Sequence, residues 1–321
     1  MAHPQDPAPR STDKILMDRV LTCSRSMGVG ALIVTFNPDQ QELGTLIEQC
    51  RLNQCRVIVV DNASSNTADW LHTVSVADVD CVWLPENQGL ARAINVGLAR
   101  LAANGYSFAL LLDQDSQLSP SYCDCMTQAW SEARQLGGDR VAALGPRVVH
   151  PDSGRRIPFK LFSRLIGRSD RRVNGSDHLY QAEFLITSGT WMPLESIERY
   201  GAMREDYFID NVDLDWCFRV SAAGGRLMGT DRAKLYHRIG ERHPHPLLSS
   251  GRIALHRPER TYFSTRNRLH LYRQPHAPLG WILRDIPRFL LKTTALLLVS
   301  AQRRAYARAL KHGWHDAKNL P

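Results

Sequence analysis

The chain has 321 residues, 43% hydrophobic and 22% charged, which is enough apolar material for one large core and argues against disorder or a small disulfide-stapled scaffold. Its net charge of +8 is unevenly spread: residues 1–145 hold 10 basic and 16 acidic groups, residues 146–321 hold 30 and 16, and residues 252–321 alone hold 14 and three. A basic tail of this kind suits an anionic surface or substrate, either nucleic acid or an anionic membrane leaflet. Seven cysteines without a CxxC pair fit reduced thiols.

Residues 1–27 open Pro-rich and read as a flexible arm. Their start, MAHPQDPAPRSTDK, lacks the apolar core of an export signal. The most apolar stretch, FLLKTTALLLVSA, is interrupted by Lys292 and is shorter than the roughly 18–20 residues a bilayer crossing needs. The expected location is therefore cytoplasmic. From Val29 the runs VGALIVTF, RVIVV, DCVWL and YSFALLL alternate with helical segments after Pro38, near Thr67–His72 and over Leu90–Ala103. Strands without polar alternation are buried on both faces, and this rhythm predicts an α/β, doubly wound, mainly parallel sheet. After Val141–Leu144 an Arg/Gly/Ser-rich stretch, 147–177, reads as hairpin and loop. Order returns at AEFLITSG, and a helix follows over Asn211–Ala223, closed by Gly224 and Gly225.

Ligands of such sheets sit beyond the C-terminal strand ends, so the residues just after each run carry the functional reading. In LLLDQDS, Asp113 and Asp115 are two apart in extended chain and can converge on a hard cation, Mg²⁺ or Mn²⁺, whose other positions a diphosphate would fill. The plainer alternative is a pair of turn caps. In VVDNASSNT, Asp61 can accept an imide N–H, as uracil and thymine offer, or simply close an Asx-turn. In ENQGLARAINVG, Gly89 permits close backbone approach at a helix start where Arg92 and Asn95 lie one turn apart. Asp210 and Asp213 could form a capping-box variant, and Asp215 with Arg219 an i,i+4 ion pair. Trp191 could stack on a sugar or belong to the core. His237, His243 and His245 lack the cysteine spacing of a zinc site.

The ordered set TFNP, VVDNASSN, ENQGLARAINVG, LLDQDS, ITSG, DYFIDNVDLDWCFR and YHRIGE resembles glycosyltransferase family 2, and within it the bacterial rhamnosyltransferase-like members, over residues 28–273. The resemblance implies a GT-A fold and an inverting transfer from a nucleotide sugar. It implies that Thr35 and Asp61 line the base pocket, that Gly89, Arg92 and Asn95 lie beside the nucleotide, and that Asp113 and Asp115 hold metal and diphosphate, with His237 able to join the metal shell. Asp213, six positions before Arg219, becomes the general base, and Asp210 a nearby substitute for the acidic residue that Val212 replaces. A helix N-terminus is expected to lower the pKa of Asp213.

Beyond the motifs, Arg284, Arg288 and Lys292 recur every four residues, with Ile282, Ile286, Phe289, Leu290, Leu296 and Leu297 over much of the remaining surface. Pro287 is expected in the first turn. Such a basic amphipathic helix can lie in a membrane interface. The domain reading is a catalytic unit over 28–260, divided into a nucleotide-sugar-binding half (28–145) and an acceptor half (146–260), followed by a basic helical membrane-associating segment, 261–321. The leading expectation is a peripheral, inner-leaflet enzyme that moves L-rhamnose from dTDP-L-rhamnose to a glycan or polyprenyl-diphosphate-linked acceptor of the cell surface. A UDP-sugar transferase, for example a galactosyltransferase, is the close rival. A nucleic-acid-binding protein is disfavoured because the strands are aliphatic and the charge is terminal. A sugar-nucleotide pyrophosphorylase is disfavoured because TFNPDQQ stands where a Gly-rich loop would be.

Overall fold

Four aliphatic runs form the strands β1 (Val29–Thr35), β2 (Arg56–Asp61), β3 (Asp80–Trp83) and β4 (Phe108–Asp113), paired parallel in the order β3-β2-β1-β4. This is a computed structural model, and it describes residues 28–76, 79–162, 169–238 and 257–321. The 1–27 arm, His243 and His245 lie outside the described residues, as do the rest of residues 239–256. Helices α1 (Gln40–Leu52), α2 (Thr67–Val76) and α3 (Leu90–Ala103) make the crossovers. Asp39 starts α1 by accepting from the amides of Gln41 and Glu42.

Alternation along the strands builds two cores. Ala31, Ile33, Val57 and Val59 join Leu43, Leu46, Ile47 and Trp70 of α1 and α2 on one face. Leu32, Ile58 and Val60 join Ile94, Leu98 and Leu101 of α3 on the other. Gly97 lets α3 settle closely on β1, since a Cβ there would lie 2.1 Å from Leu32 Cδ1. This is the doubly wound sheet the sequence predicts.

Beyond β4 the sheet continues through β8 (Trp191–Pro193), β6 (Val141–Val149) and β9 (Arg226–Tyr236), with β8 antiparallel to β4 and β6, and β6 parallel to β9. The short β5 (Gln117–Leu118) and β7 (Leu179–Ala182) both pair antiparallel with β9. Helices α4 (Tyr122–Gly137), α5 (Glu195–Tyr200), α6 (Val212–Ala222), α7 (Pro258–Leu271), α8 (Leu279–Val299) and α9 (Arg303–Asp316) complete the described chain.

Four expectations change. In AEFLITSG only Ala182 is in a strand; the remainder turns back at Gly189, whose amide and the Thr190 carbonyl bond to Leu111. Trp191 is fully buried in β8 against Phe108, 5.9 Å between ring centroids, so it is core and not a sugar platform. Pro287 sits inside α8, because that helix already starts at Leu279, just after Pro278, whose carbonyl accepts from Trp281 and Ile282. The boundary at 260 falls within α7, and α7 buries Asn267 against the 207–210 backbone.

Candidate active site

Two strand ends and a hairpin-like return assemble the acidic cluster. β4 ends on Asp113; β5 begins two residues after Asp115 and pairs with β9 so that Gln117 faces Tyr236. His237, the next residue, is thereby brought beside both carboxylates, and its amide is anchored on the Val149 carbonyl. Nε2 lies 3.5 Å from Asp113 Oδ2 and Nδ1 3.4 Å from Asp115 Oδ1. Ser188, in the ITSG segment, braces the turn: its hydroxyl accepts from the Asp113 amide and lies 2.5 Å from the Ser116 hydroxyl.

The side chains of Asp113 and Asp115 keep 34% and 39% exposure, while His237 keeps 12%, as expected for groups at the floor of an open cleft. Burial raises the Asp113 pKa, with the His237 charge opposing and Asp115 adding. At Asp115 burial also pushes upward, but His237 outweighs it and holds this carboxyl below its usual value. Burial disfavours the imidazolium of His237, yet the two carboxylates raise its pKa. Two carboxylates and an imidazole with ligand atoms within 4.8 Å of one another fit a divalent cation, and the buried Nδ1 of His237 has no aligned hydrogen-bond partner. The donor set suits Mg²⁺ or Mn²⁺ with oxygen ligands.

At the neighbouring strand ends Thr35 and Asp61 face each other in register, and the Thr35 hydroxyl donates to Asp61 Oδ1 at 2.9 Å. Asp61 also takes the Ser64 hydroxyl (2.5 Å) and amide (2.9 Å). The local turn and the proposed base site are thus one structure. Both residues are buried, and a carboxylate with four acceptor sites keeps capacity for an imide N–H.

Asp213 occupies the first turn of α6, where Oδ1 accepts from the Leu214 amide at 2.8 Å. Its pKa is raised to about 7, chiefly by burial and further by the charges of Asp210 and Asp113. This reverses the expected lowering: loss of water and two carboxylate neighbours outweigh the helix terminus. A capping box does not form, since Asp210 instead takes the Arg260 guanidinium at 2.9 Å. Asp215 is fully buried between Arg219 (2.8 Å) and His276 (3.0 Å), so the i,i+4 pair exists and has a third member. Burial pushes Asp215 up, but those two partners hold it below the ordinary value.

The approach to Asp213 is strained. Phe208, Asp210 and Asn211 have φ of 60°, 65° and 61°, each conformation costing about 1–3 kcal/mol in a residue with a side chain. Asn267 of α7 holds this segment, its Nδ2 lying 2.7, 2.8 and 2.9 Å from the carbonyls of Tyr207, Ile209 and Asp210. Asn211 Nδ2 reaches the Ser264 carbonyl.

The Phe208 carbonyl caps α3 through the Leu90 amide at 2.6 Å. Gly89 is required there, since a Cβ would meet Phe208 O at 2.6 Å and φ is +86°. Arg92 and Asn95, expected beside the nucleotide, are turned to protein partners: Arg92 pairs with Glu205 at 3.1 Å, and Asn95 bonds Glu205 and the Met203 backbone. ENQGLARAINVG thus braces the 203–208 segment.

Sequence reasoning missed Asn267 and His276. Asn267 is one polar residue in a polar helix, and His276 follows that helix at no motif distance. The basic stripe of α8 was found, but its direction was not. Arg284 donates to the Leu161 and Phe162 carbonyls, and Trp281 and Leu296 on the same side are buried. Arg284 therefore turns toward the 161–162 backbone, while Arg288 is exposed and Lys292 half-buried. Leu279, Leu291 and Leu298 are exposed, at 67%, 67% and 75%.

Residues 31–183 match the family model for glycosyl transferase family 2. Over 283 residues, 88% of this chain and 92% of the relative, the sequence is 28% identical to the dTDP-rhamnosyl transferase RfbF of Shigella flexneri. Among solved structures, S. aureus TarS 1-349 superposes with a TM-score of 0.56 over 91% of this chain and 81% of its own, at 14% identity. GalNAc-T7 with UDP, GalNAc and Mn²⁺ superposes at 0.52 over 73% of this chain, at 11% identity, and the alignment spans 53% of that structure. At these identities the two structures speak for the fold, and it is the GT-A arrangement of a parallel sheet ending in an Asp-x-Asp turn. Residues 31–183 thus carry a glycosyltransferase family 2 domain, and over most of its length the chain is similar to a dTDP-rhamnosyl transferase.

Proposed function

We propose that this glycosyltransferase moves L-rhamnose from dTDP-L-rhamnose, with inversion, to a hydroxyl of a lipid-linked glycan or polysaccharide acceptor in cell-surface glycan synthesis. The observation that carries the reading is the pairing of Asp213 with the Asp113–Asp115–His237 cluster: a carboxylate tuned to about 7 within the electrostatic reach of a cation-binding floor. The similarity to a dTDP-rhamnosyl transferase supports the sugar.

In this reading Thr35 and Asp61 receive the thymine edge, and Asp113, Asp115 and His237 hold Mg²⁺ or Mn²⁺, which when bound offsets charge on the departing diphosphate. Asp213 takes the proton of the acceptor hydroxyl as its oxygen bonds to the anomeric carbon. The bond from that carbon to the diphosphate oxygen breaks on the opposite face, and its electron pair leaves with dTDP. A base with a pKa near 7 is half ionised near neutrality and stronger than an ordinary aspartate. Asp210, tied to Arg260, supports its position. No helix among the described residues is long and apolar enough to cross a membrane; the outward leucines of α8 support a peripheral seat on the inner leaflet.

Calorimetric titration of dTDP and of UDP, with Mg²⁺ or Mn²⁺ and again with chelator, tests the donor reading. The expected result is metal-dependent binding, tighter for dTDP and lost in Asp113→Ala/Asp115→Ala. Failure of both nucleotides to bind under every metal condition would overturn it.

A further inference from the structure

The parallel pairing of β1 with β4 ends at Val34 and Asp113, but the two chains stay joined beyond that point by a side chain. Gln114, between Asp113 and Asp115, reaches across to Phe36 with both ends of its amide. Its Oε1 accepts from the Phe36 amide at 2.8 Å, and its Nε2 donates to the Phe36 carbonyl at 3.3 Å. A side-chain amide carries the same donor and acceptor groups as a peptide, so Gln114 serves as one more rung of the ladder. It is half-buried, and water within reach would satisfy the same groups. The double contact therefore adds little net stability and much definition of position.

From Phe36 the bonds run on to the base site. The Asn37 amide donates to Ser64 Oγ at 2.8 Å, and Asn37 Oδ1 accepts from the Ser65 amide at 2.7 Å and hydroxyl at 2.9 Å. Ser64 in turn donates to Asp61, which also takes the Thr35 hydroxyl. Asn37 and Ala63 hold φ of 48° and 61°, conformations that persist in residues with a side chain only where the surroundings fix them. On the other side of Gln114, Ser188 takes the Asp113 amide and His237 stands 3.4 Å from Asp115. A polar chain thus runs from the metal floor through Gln114 and the 36–37 backbone to the base-site carboxylate.

We propose that Gln114 is a positioning residue that couples the two halves of the donor site, so that cation binding at Asp113 and Asp115 raises the affinity of the Thr35–Asp61 pocket for the base. With both carboxylates gathered on one divalent cation, the peptide between them is held and Gln114 with it. Gln114 then holds the 36–37 backbone, and the strained turn that presents Asp61 is ordered before the base arrives. Such coupling is reciprocal: an occupied base pocket tightens cation binding by the same factor. The inference rests on the donor-site reading of both pockets, and it adds that a ligand filling both gains more than the sum of its separate contacts.

Thymidine carries the base and no phosphate, so it reports on the base pocket without touching the cation. The test is calorimetric titration of thymidine into the full-length protein, with saturating Mn²⁺ and again with chelator. Wild type is expected to bind about fivefold or more tightly with the cation, and Mn²⁺ titrated with and without saturating thymidine should return the same factor. In Gln114→Met, which keeps the length and loses both bonds, the factor should fall below about twofold, with thermal melting and the Mn²⁺ affinity of the nucleotide-free protein as in wild type. Gln114→Glu keeps the acceptor for the Phe36 amide alone and should fall between the two. No cation effect in wild type, an unchanged factor in Gln114→Met, or thymidine failing to bind where dTDP binds would each overturn the coupling and leave the donor reading standing. Failure of thymidine and dTDP alike under every metal condition would remove the transferase reading and the coupling with it.

Discussion

The parallel half of the sheet and the C-terminal helices solve the same burial problem in opposite senses. In β1–β4 every apolar run goes inward and the polar residues collect at the strand ends, where Thr35, Asp61 and Asp113 stand in adjacent registers. In α8 much of the apolar surface is exposed, while Arg284 turns in to the Leu161 and Phe162 carbonyls. A strand buried on both faces has no choice of side, whereas an amphipathic helix has two. The comparison teaches that on such a helix tertiary contacts settle the side residue by residue, whereas a doubly buried strand leaves nothing to settle.

The largest effect expected on the strand-end side is from Asp213→Asn. Loss of the base should lower kcat by about 10²–10⁴-fold, while calorimetric affinity for dTDP stays within a factor of about two of wild type, one such factor being about 0.4 kcal/mol. In wild type the kcat profile should rise with pH and level off above about 7, the value to which burial lifts this carboxyl. A flat profile from pH 5 to 8, or a variant that keeps its rate, would remove Asp213 from the mechanism.

Next comes Asn267→Leu, which asks whether the C-terminal helices are part of the catalytic unit. It removes the donor to three carbonyls beneath a backbone with three positive-φ residues. The buried carbonyls left unpaired predict about 2–4 kcal/mol of lost stability in urea titrations. At a temperature where the variant remains folded, kcat should fall by more than dTDP affinity does. A purely structural asparagine would lower melting and leave kcat per folded molecule alone.

Most of the donor side was legible in the chain itself. Apolar runs without alternation fix the parallel sheet, and the sheet fixes where Asp61, Asp113 and Asp115 emerge. His237 was legible through its place after an apolar strand. The rest depends on contacts between segments far apart in sequence. Asn267 meets Tyr207 only because α7 packs beneath the loop, and nothing in TYFSTRNRLH marks it. Gly89 was read correctly as a close approach, but its neighbour is Phe208 and not a ligand. For Asp213 the helix terminus was visible in sequence, while the burial that overrides it depends on tertiary packing.

Stability offers a smaller effect of opposite sign. A carboxyl whose pKa is raised on folding binds its proton more tightly folded than unfolded, so its ionisation opposes folding. That cost is absent below the ordinary carboxylate range, grows as pH rises toward about 7, and is fully present above it. Asp213→Asn should therefore be more stable than wild type at pH 8, by about 1–3 kcal/mol after allowance for solvent reaching the cleft. The gain should vanish near pH 4; equal melting at both pH values would mean that the folded site does not raise this carboxyl.

The smallest expected change in stability gives the sharpest test of how α8 sits. Leu290→Ser/Leu291→Ser alters two side chains at 58% and 67% exposure, so the folded core loses almost nothing and melting should shift by no more than about 0.5 kcal/mol. If these leucines face a bilayer, the same variant should lose most of its co-sedimentation with phosphatidylglycerol vesicles, because each leucine withdrawn from the interface forfeits about 1.5–3 kcal/mol of burial. Arg284→Gln should retain vesicle binding, since that guanidinium is turned to the Leu161 and Phe162 carbonyls. Were the charge variant to lose vesicle binding and the leucine variant to keep it, the basic stripe would be the membrane face after all, and the inward orientation of Arg284 would be wrong.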